Sequence, residues 1–161
     1  MKRTTFLLVA FTLCRANAIA SEETLNQAMK ALDAQVKSGD DKKLALFAVS
    51  RQTSVPEATL QTHMNATHLG YGELLAAESL AKATGKNVDA VLSMKHDKSW
   101  AALSKEMKID PNSIAGRLQN AQKTVQAGQQ QRLQAAKTAK PAEQGIRPVE
   151  RAPAVSRMGG Y

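Results

Sequence analysis

The stretch from residue 69 to residue 107, LGYGELLAAESLAKATGKNVDAVLSMKHDKSWAALSKEM, crowds helix starts and stops more densely than any other part of the chain. Leu74, Leu75, Ala77, Leu80 and Ala81 recur at helical spacing, as do Val88, Val91, Leu92 and Met94, and then Trp100, Leu103 and Met107. Between these runs stand Gly85, suited to the position after a helix end, and Asn87 and Asp97, suited to cap the helix that follows. Punctuation this close excludes long helices from the stretch. Runs that alternate apolar with polar residues are absent after residue 20, so no strand pattern competes. The chain is expected to be all-α: a compact bundle of short helices with helix-turn-helix-like hairpins, a long C-terminal helix and a disordered basic tail.

The flanks extend the same pattern. A first helix beginning at Ser21 carries Leu25, Ala28, Met29, Leu32 and Val36 on one stripe. Asp40 or Asp41 is expected to cap a second, whose Leu44, Leu46, Phe47, Ala48 and Val49 are apolar on most sides and predict a central position. Ser54-Val55-Pro56-Glu57 reads as a capping box that opens a third helix with Ala58, Leu60 and Met64. That helix is expected to stop near Gly70, with Gly70 and Gly72 flanking Tyr71 in a tight corner that uses positive φ. Glu73 suits the first turn of the fourth helix. Asp110-Pro111 supplies a cap and a first-turn proline for a seventh, running to about Lys140. Its stripe of Ile114, Leu118, Ala121 and Val125 fades after Val125, and Gly128 weakens the helix by up to about 1 kcal/mol. The expected division is a signal peptide over 1–20, a helical domain over 21–127, a projecting helix end over 128–140 and a disordered basic tail over 141–161. The last carries Pro141, Pro148, Pro153 and Gly159-Gly160 and too little apolar material to fold.

Residues 1–20 read as an export signal. Met1-Lys2-Arg3 is a positive start, and the apolar run from Thr4 to Cys14 is too short to span a bilayer. Small residues at Ala16, Ala18 and Ala20 place cleavage after Ala20, or after Ala18. Leu13, rather than a small residue, precedes Cys14, which disfavours lipidation there. Cys14 is the one cysteine, so the cleaved chain has no disulfide or thiol chemistry. An exported protein, periplasmic or secreted, is expected, with no transmembrane helix after the signal is removed.

Charge divides the chain. Residues 21–110 hold 11 basic and 12 acidic groups, whereas residues 111–161 hold 8 basic and 2 acidic. Glutamines and cations interleave from Gln119 onward. Lys123, Arg132, Lys137, Lys140, Arg147, Arg151 and Arg157 are the candidate partner-binding residues, for an anionic envelope component or an acidic protein. Few aromatics intervene, so base stacking on single-stranded nucleic acid is not expected.

Three segments share a helix–turn–helix layout: LFAVSRQTSVPEATL, ESLAKATGKNVDAVL and WAALSKEMKIDPNSIAGRL, with turns at Ser54, Gly85 and Lys108. Leu69-Gly70-Tyr71-Gly72-Glu73-Leu74-Leu75, Leu80-Ala81-Lys82-Ala83-Thr84-Gly85-Lys86 and Ser99-Trp100-Ala101-Ala102-Leu103 together resemble small exported bacterial helical proteins with a GYGELL…LAxxTGK…W…AKE pattern. The resemblance covers roughly residues 55–118. It implies a compact helical module, and no established activity comes with it, so it transfers no functional residue. His96-Asp97-Lys98-Ser99 departs from the usual glycine-rich lead into the tryptophan.

Chemistry-bearing motifs are sparse. His63 and His68 are five apart and do not share a helix face, although with His96, Met64 and Met94 they would suit Cu(I). The methionines already have places in apolar stripes. No serine sits in a nucleophile elbow, and Gly70-Tyr71-Gly72 lacks the remainder of a nucleotide fingerprint. Gly70, Gly72 and Gly85 are expected to shape the corners and Trp100 to anchor the core. The expectation is a non-enzymatic interaction or structural protein of the bacterial envelope, with no cofactor and no metal. A helix-turn-helix nucleic-acid binder is a second reading: Leu103, Met107, Ile109, Ile114 and Leu118 would form its core and Asn112, Ser113 and Arg117 its outer face. A periplasmic metal-handling protein is a third.

Overall fold

A computed structural model of the chain describes residues 22–138. They are all-α, with no strand. Helix α1 covers residues 22–34. It is followed by α2 (Gly39–Thr53), α3 (Glu57–Thr67), α4 (Tyr71–Thr84), α5 (Val88–Lys95), α6 (Trp100–Glu106) and α7 (Pro111–Thr138).

The helix starts are local chemistry. Asn87 Oδ1 accepts the Ala90 N–H at 2.8 Å, as its position predicts. Asp110 Oδ1 accepts the Asn112 N–H at 3.0 Å just ahead of Pro111. Two expected caps shift by a few residues. Ser99 rather than Asp97 caps α6, accepting from Ala102, and Ser38 rather than Asp40 or Asp41 caps α2. Ser38 and Asp41 form a reciprocal capping box, in which Asp41 is the third helical residue and returns a carboxylate oxygen to the Ser38 N–H. The box expected at Ser54 does not form. Pro56 holds the N-cap position of α3 without a side-chain hydrogen bond, and Ser54 closes α2 instead.

Four of the helix ends share one device. Ser54, His68, Gly85 and Lys108 all take the left-handed conformation, with φ of 61°, 56°, 67° and 58°. Each separates two helices by a short link, and three of the four are the turns of the helix–turn–helix segments. In the two complete wraps, the Lys86 N–H reaches Ala81 O and the Ile109 N–H reaches Ser104 O, satisfying carbonyls that the helix leaves open. Val55, Leu69 and Ile109 follow their left-handed residues and pack against the core, the apolar contact that accompanies such a stop.

Packing centres on α4. Leu74, Leu75, Ala76, Ala77 and Leu80 are fully buried, so this helix is enclosed on nearly every side. It contacts α2, α3, α5 and α7. Helix α2, expected to be central, packs against α3, α4 and α7, and α4 is the more enclosed of the two. Helix α2 buries Ala45, Ala48 and Val49 but leaves Phe47 42% exposed, with Arg51 stacked over its ring at 5.8 Å. Trp100 is 3% exposed and is a core anchor. Its indole N–H donates to Glu73 at 3.2 Å, which joins α6 to α4.

Gly70 and Gly72 serve closeness, not φ. Gly70 has φ −69°, and Gly85 alone among the described glycines has positive φ. A Cβ on Gly72 would stand 2.6 Å from Met29 Cα and from the Met29 carbonyl oxygen, so α1 crosses α4 backbone to backbone. One on Gly70 would stand 2.7 Å from the Asp33 carboxylate. Gly128 has the same role in α7, where a Cβ would lie 2.7 Å from a Leu44 methyl.

Helix α7 runs antiparallel to α2. Its residue Arg117 reaches Gln52 O near the end of α2, while Gln129 and Arg132 reach Asp41 near its start. The expected boundary at residue 127 is displaced, because Gly128, Gln129 and Arg132 all rest on α1 and α2. Exposure is continuous only over residues 133–138. Among the described residues no helix is long and apolar enough to cross a membrane. The signal peptide over 1–20 and the tail over 141–161 lie outside the described residues.

Two glycine substitutions should move stability in opposite directions. Gly72→Ala is expected to destabilise the fold by about 1–3 kcal/mol, through overpacking against rigid backbone. Gly116→Ala, with nothing within 4 Å of its new methyl group, is expected to stabilise α7 by about 0.5–1 kcal/mol. Urea unfolding midpoints check both.

Candidate functional site

Three of the candidate partner-binding residues, Lys123, Arg132 and Lys137, lie among the described residues, and they are not equivalent. Lys123 and Lys137 are exposed on α7, and among the described residues neither pairs with a carboxylate. Arg132 is paired at the partly exposed seam between α7 and α2: its guanidinium donates to Asp41 at 3.1 Å and lies 3.5 Å from Asp40. Lys140, Arg147, Arg151 and Arg157 lie outside the described residues. Arg117, placed by sequence on the outer face of a recognition helix, instead donates to the Gln52 carbonyl at 3.4 Å.

The glutamines of α7 are also partly internal. Gln122 donates to Ala28 O at 2.7 Å and Gln129 to Gln35 O at 3.0 Å, tying α7 to the middle of α1 and to the turn that follows it. Gln129 donates as well to Asp41 at 3.0 Å. Asp41 thus gathers Ser38, Gln129 and Arg132 around one carboxylate. Its pKa is lowered to about 2, chiefly by the Gln129 side chain, then by the Ser38 hydroxyl, with burial opposing and the Lys37 and Ser38 backbone N–H groups assisting. Asp33 shifts the other way. Burial raises its pKa against the N–H groups of Gly72 and Tyr71, with the nearby Glu73 charge adding to the rise.

A second polar contact was invisible in the sequence. His63 Nδ1 lies 2.6 Å from Oε1 of Glu78, which is 4% exposed. The pair fastens α3 to α4. Apart from it, Leu60 is the one residue of α3 that is buried. A buried carboxylate is costly without a partner, so His63 acts first as the satisfier of Glu78. His68 and His96 are elsewhere: His68 closes α3, and His96 pairs with Asp97 at 2.9 Å on the open surface. Among the described residues no three His, Cys, Asp or Glu side chains gather where they would hold a metal ion. Trp100 is packed beneath Lys95, whose ammonium lies 5.2 Å from the ring centroid.

No protein-family model matches the chain, and no curated protein or solved structure matches it significantly. Function is therefore argued from the residues alone.

Acid should probe the Asp41 node. A carboxylate with a folded pKa near 2 binds protons more weakly in the fold than in the unfolded chain. Its stabilising contribution is complete above about pH 4 and is lost as pH falls toward 2. The stability gap between the natural chain and Asp41→Asn is expected to close across that window in urea titrations. For the other contact, His63→Ala is expected to cost about 1–3 kcal/mol by stranding the Glu78 carboxylate. In a His63→Ala/Glu78→Gln double variant the two losses should fall short of additivity by at least about 0.5 kcal/mol.

Proposed function

We propose that this chain is a non-enzymatic, exported helical module of the bacterial envelope whose basic C-terminal end meets an anionic envelope component or an acidic protein partner. The distribution of charge carries the reading. Residues 111–161 hold 8 basic and 2 acidic groups, against a near balance upstream. Internal pairing absorbs Arg132, whereas Lys123 and Lys137 stay exposed and free of carboxylates among the described residues. A cationic end of this kind attracts anionic surfaces over about a Debye length, roughly 8 Å at physiological salt. The positive start and short apolar run of residues 1–14 support export.

Where the chain is cut decides what a test measures. Removing residues 139–161 deletes four cations and leaves every described contact in place. That shorter chain is expected to keep its unfolding midpoint and to lose several-fold in low-salt association with vesicles containing anionic phospholipid. Adding Lys123→Glu and Lys137→Glu should weaken it further. Cutting after residue 127 also removes Gln129 and Arg132 and is expected to lower the midpoint. Undiminished association of both charge-depleted chains, with anionic vesicles and with an envelope extract alike, would remove the proposal.

A further inference from the structure

An open groove of about 640 Å³ lies between the end of α1, the start of α2, and α3 with the turn into α4. Its size is in the range of small-molecule sites. Five half-buried apolar side chains form its bed: Val36, Leu46, Met64, Leu69 and Tyr71. They rest on the core below and keep apolar surface turned to the opening, which a ligand would remove from water.

The rim is cationic. Lys42 and Lys43 stand exposed on the first turns of α2, and the exposed imidazole of His68 closes the α3 side. Among the described residues neither lysine is paired with a carboxylate. Asp33 is the one acid in the lining, and it is turned to the start of α4, where it accepts the Gly72 N–H at 3.1 Å. The lining thus sets two exposed lysines against one carboxylate, and the lysines dominate the rim.

The wall opposite α2 is lightly fastened. Helix α3 buries Leu60 and is clamped to α4 through His63 and Glu78, away from the groove, while Gln61 and Met64 face the opening. Left-handed residues at Ser54 and His68 bracket this helix.

We propose that this groove binds a single-chain anionic amphiphile, a long-chain carboxylate, with its apolar chain on the Val36–Leu46–Met64–Leu69–Tyr71 bed and its headgroup at Lys42 and Lys43. Charge complementarity selects the anionic head, and the apolar bed selects the chain. No residue of the basic C-terminal third lines the groove among the described residues, and the proposal does not rest on the reading of that end.

Calorimetric titration of the full chain with dodecanoate, kept below its micelle concentration, tests this. Saturable binding at one site is expected, with 1-dodecanol at least about tenfold weaker. Lys42→Glu/Lys43→Glu should weaken dodecanoate about tenfold and leave the unfolding midpoint unchanged, since both lysines are exposed. Met64→Gln should weaken it while leaving the preference for carboxylate over alcohol in place. That double variant keeps every cation of the C-terminal third, so unaltered affinity would assign binding to the tail and overturn the groove. Absence of saturable binding by the natural chain would overturn it too, as would saturation that proceeds only with dimerisation.

Discussion

Helices α1 and α4 meet with almost no side chain between them. Gly72 brings the first turn of α4 onto the backbone of Met29, closer than any residue with a Cβ would allow. At that distance the Asp33 carboxylate reaches the Gly72 N–H, one of the donors that a helix start leaves without a partner. The contact therefore sets where α4 enters the core and caps it with a residue from another helix. Everything that packs on α4, from Leu60 of α3 to Trp100 of α6, takes its position from that entry.

Polar side chains complete what the apolar core begins. Gln122 and Gln129 supply donors to the carbonyls of Ala28 and Gln35, and Lys82 donates to Thr53 O at 3.0 Å. The Gln35 and Thr53 carbonyls lie at helix ends, where intrahelical partners run out, and the Ala28 carbonyl gains a second donor within α1. The α7 segment after Val125 thus docks by hydrogen bonds and by the pairing of Arg132 with Asp40 and Asp41. Its glycine is an aid, since Gly128 lets Leu44 pack against the α7 backbone. This docking takes Arg132 out of the exposed basic set and leaves Lys123 and Lys137 to it.

The same economy leaves α3 distinctive. It is bounded by two left-handed residues, buries Leu60 and is latched by an imidazole on a buried carboxylate. Its position beside the lysines of α2 forms the groove. Neither wall signals a site in sequence, because Met64 and Leu46 read as ordinary members of apolar stripes.

Local features were legible because their physics is local. The all-α class follows from apolar periodicity, and the stops and caps at Gly85, Asn87 and Asp110-Pro111 depend on atoms two to five residues away. The turns at Ser54, Gly85 and Lys108 were placed correctly for that reason, even where a non-glycine residue takes the left-handed form. Ser54 was assigned the wrong role because its sequence suits a cap, whereas in the fold its hydroxyl accepts from Lys82, 28 residues on. The Asp41–Arg132 and His63–Glu78 pairs, 91 and 15 residues apart, carry no local signature at all. By itself the sequence determined the helical class, most of the helix boundaries and the division of charge. Tertiary structure alone decided which glycines mark close approaches, which cations remain free and where an apolar bed stays open, because each depends on a neighbour that the chain supplies from elsewhere.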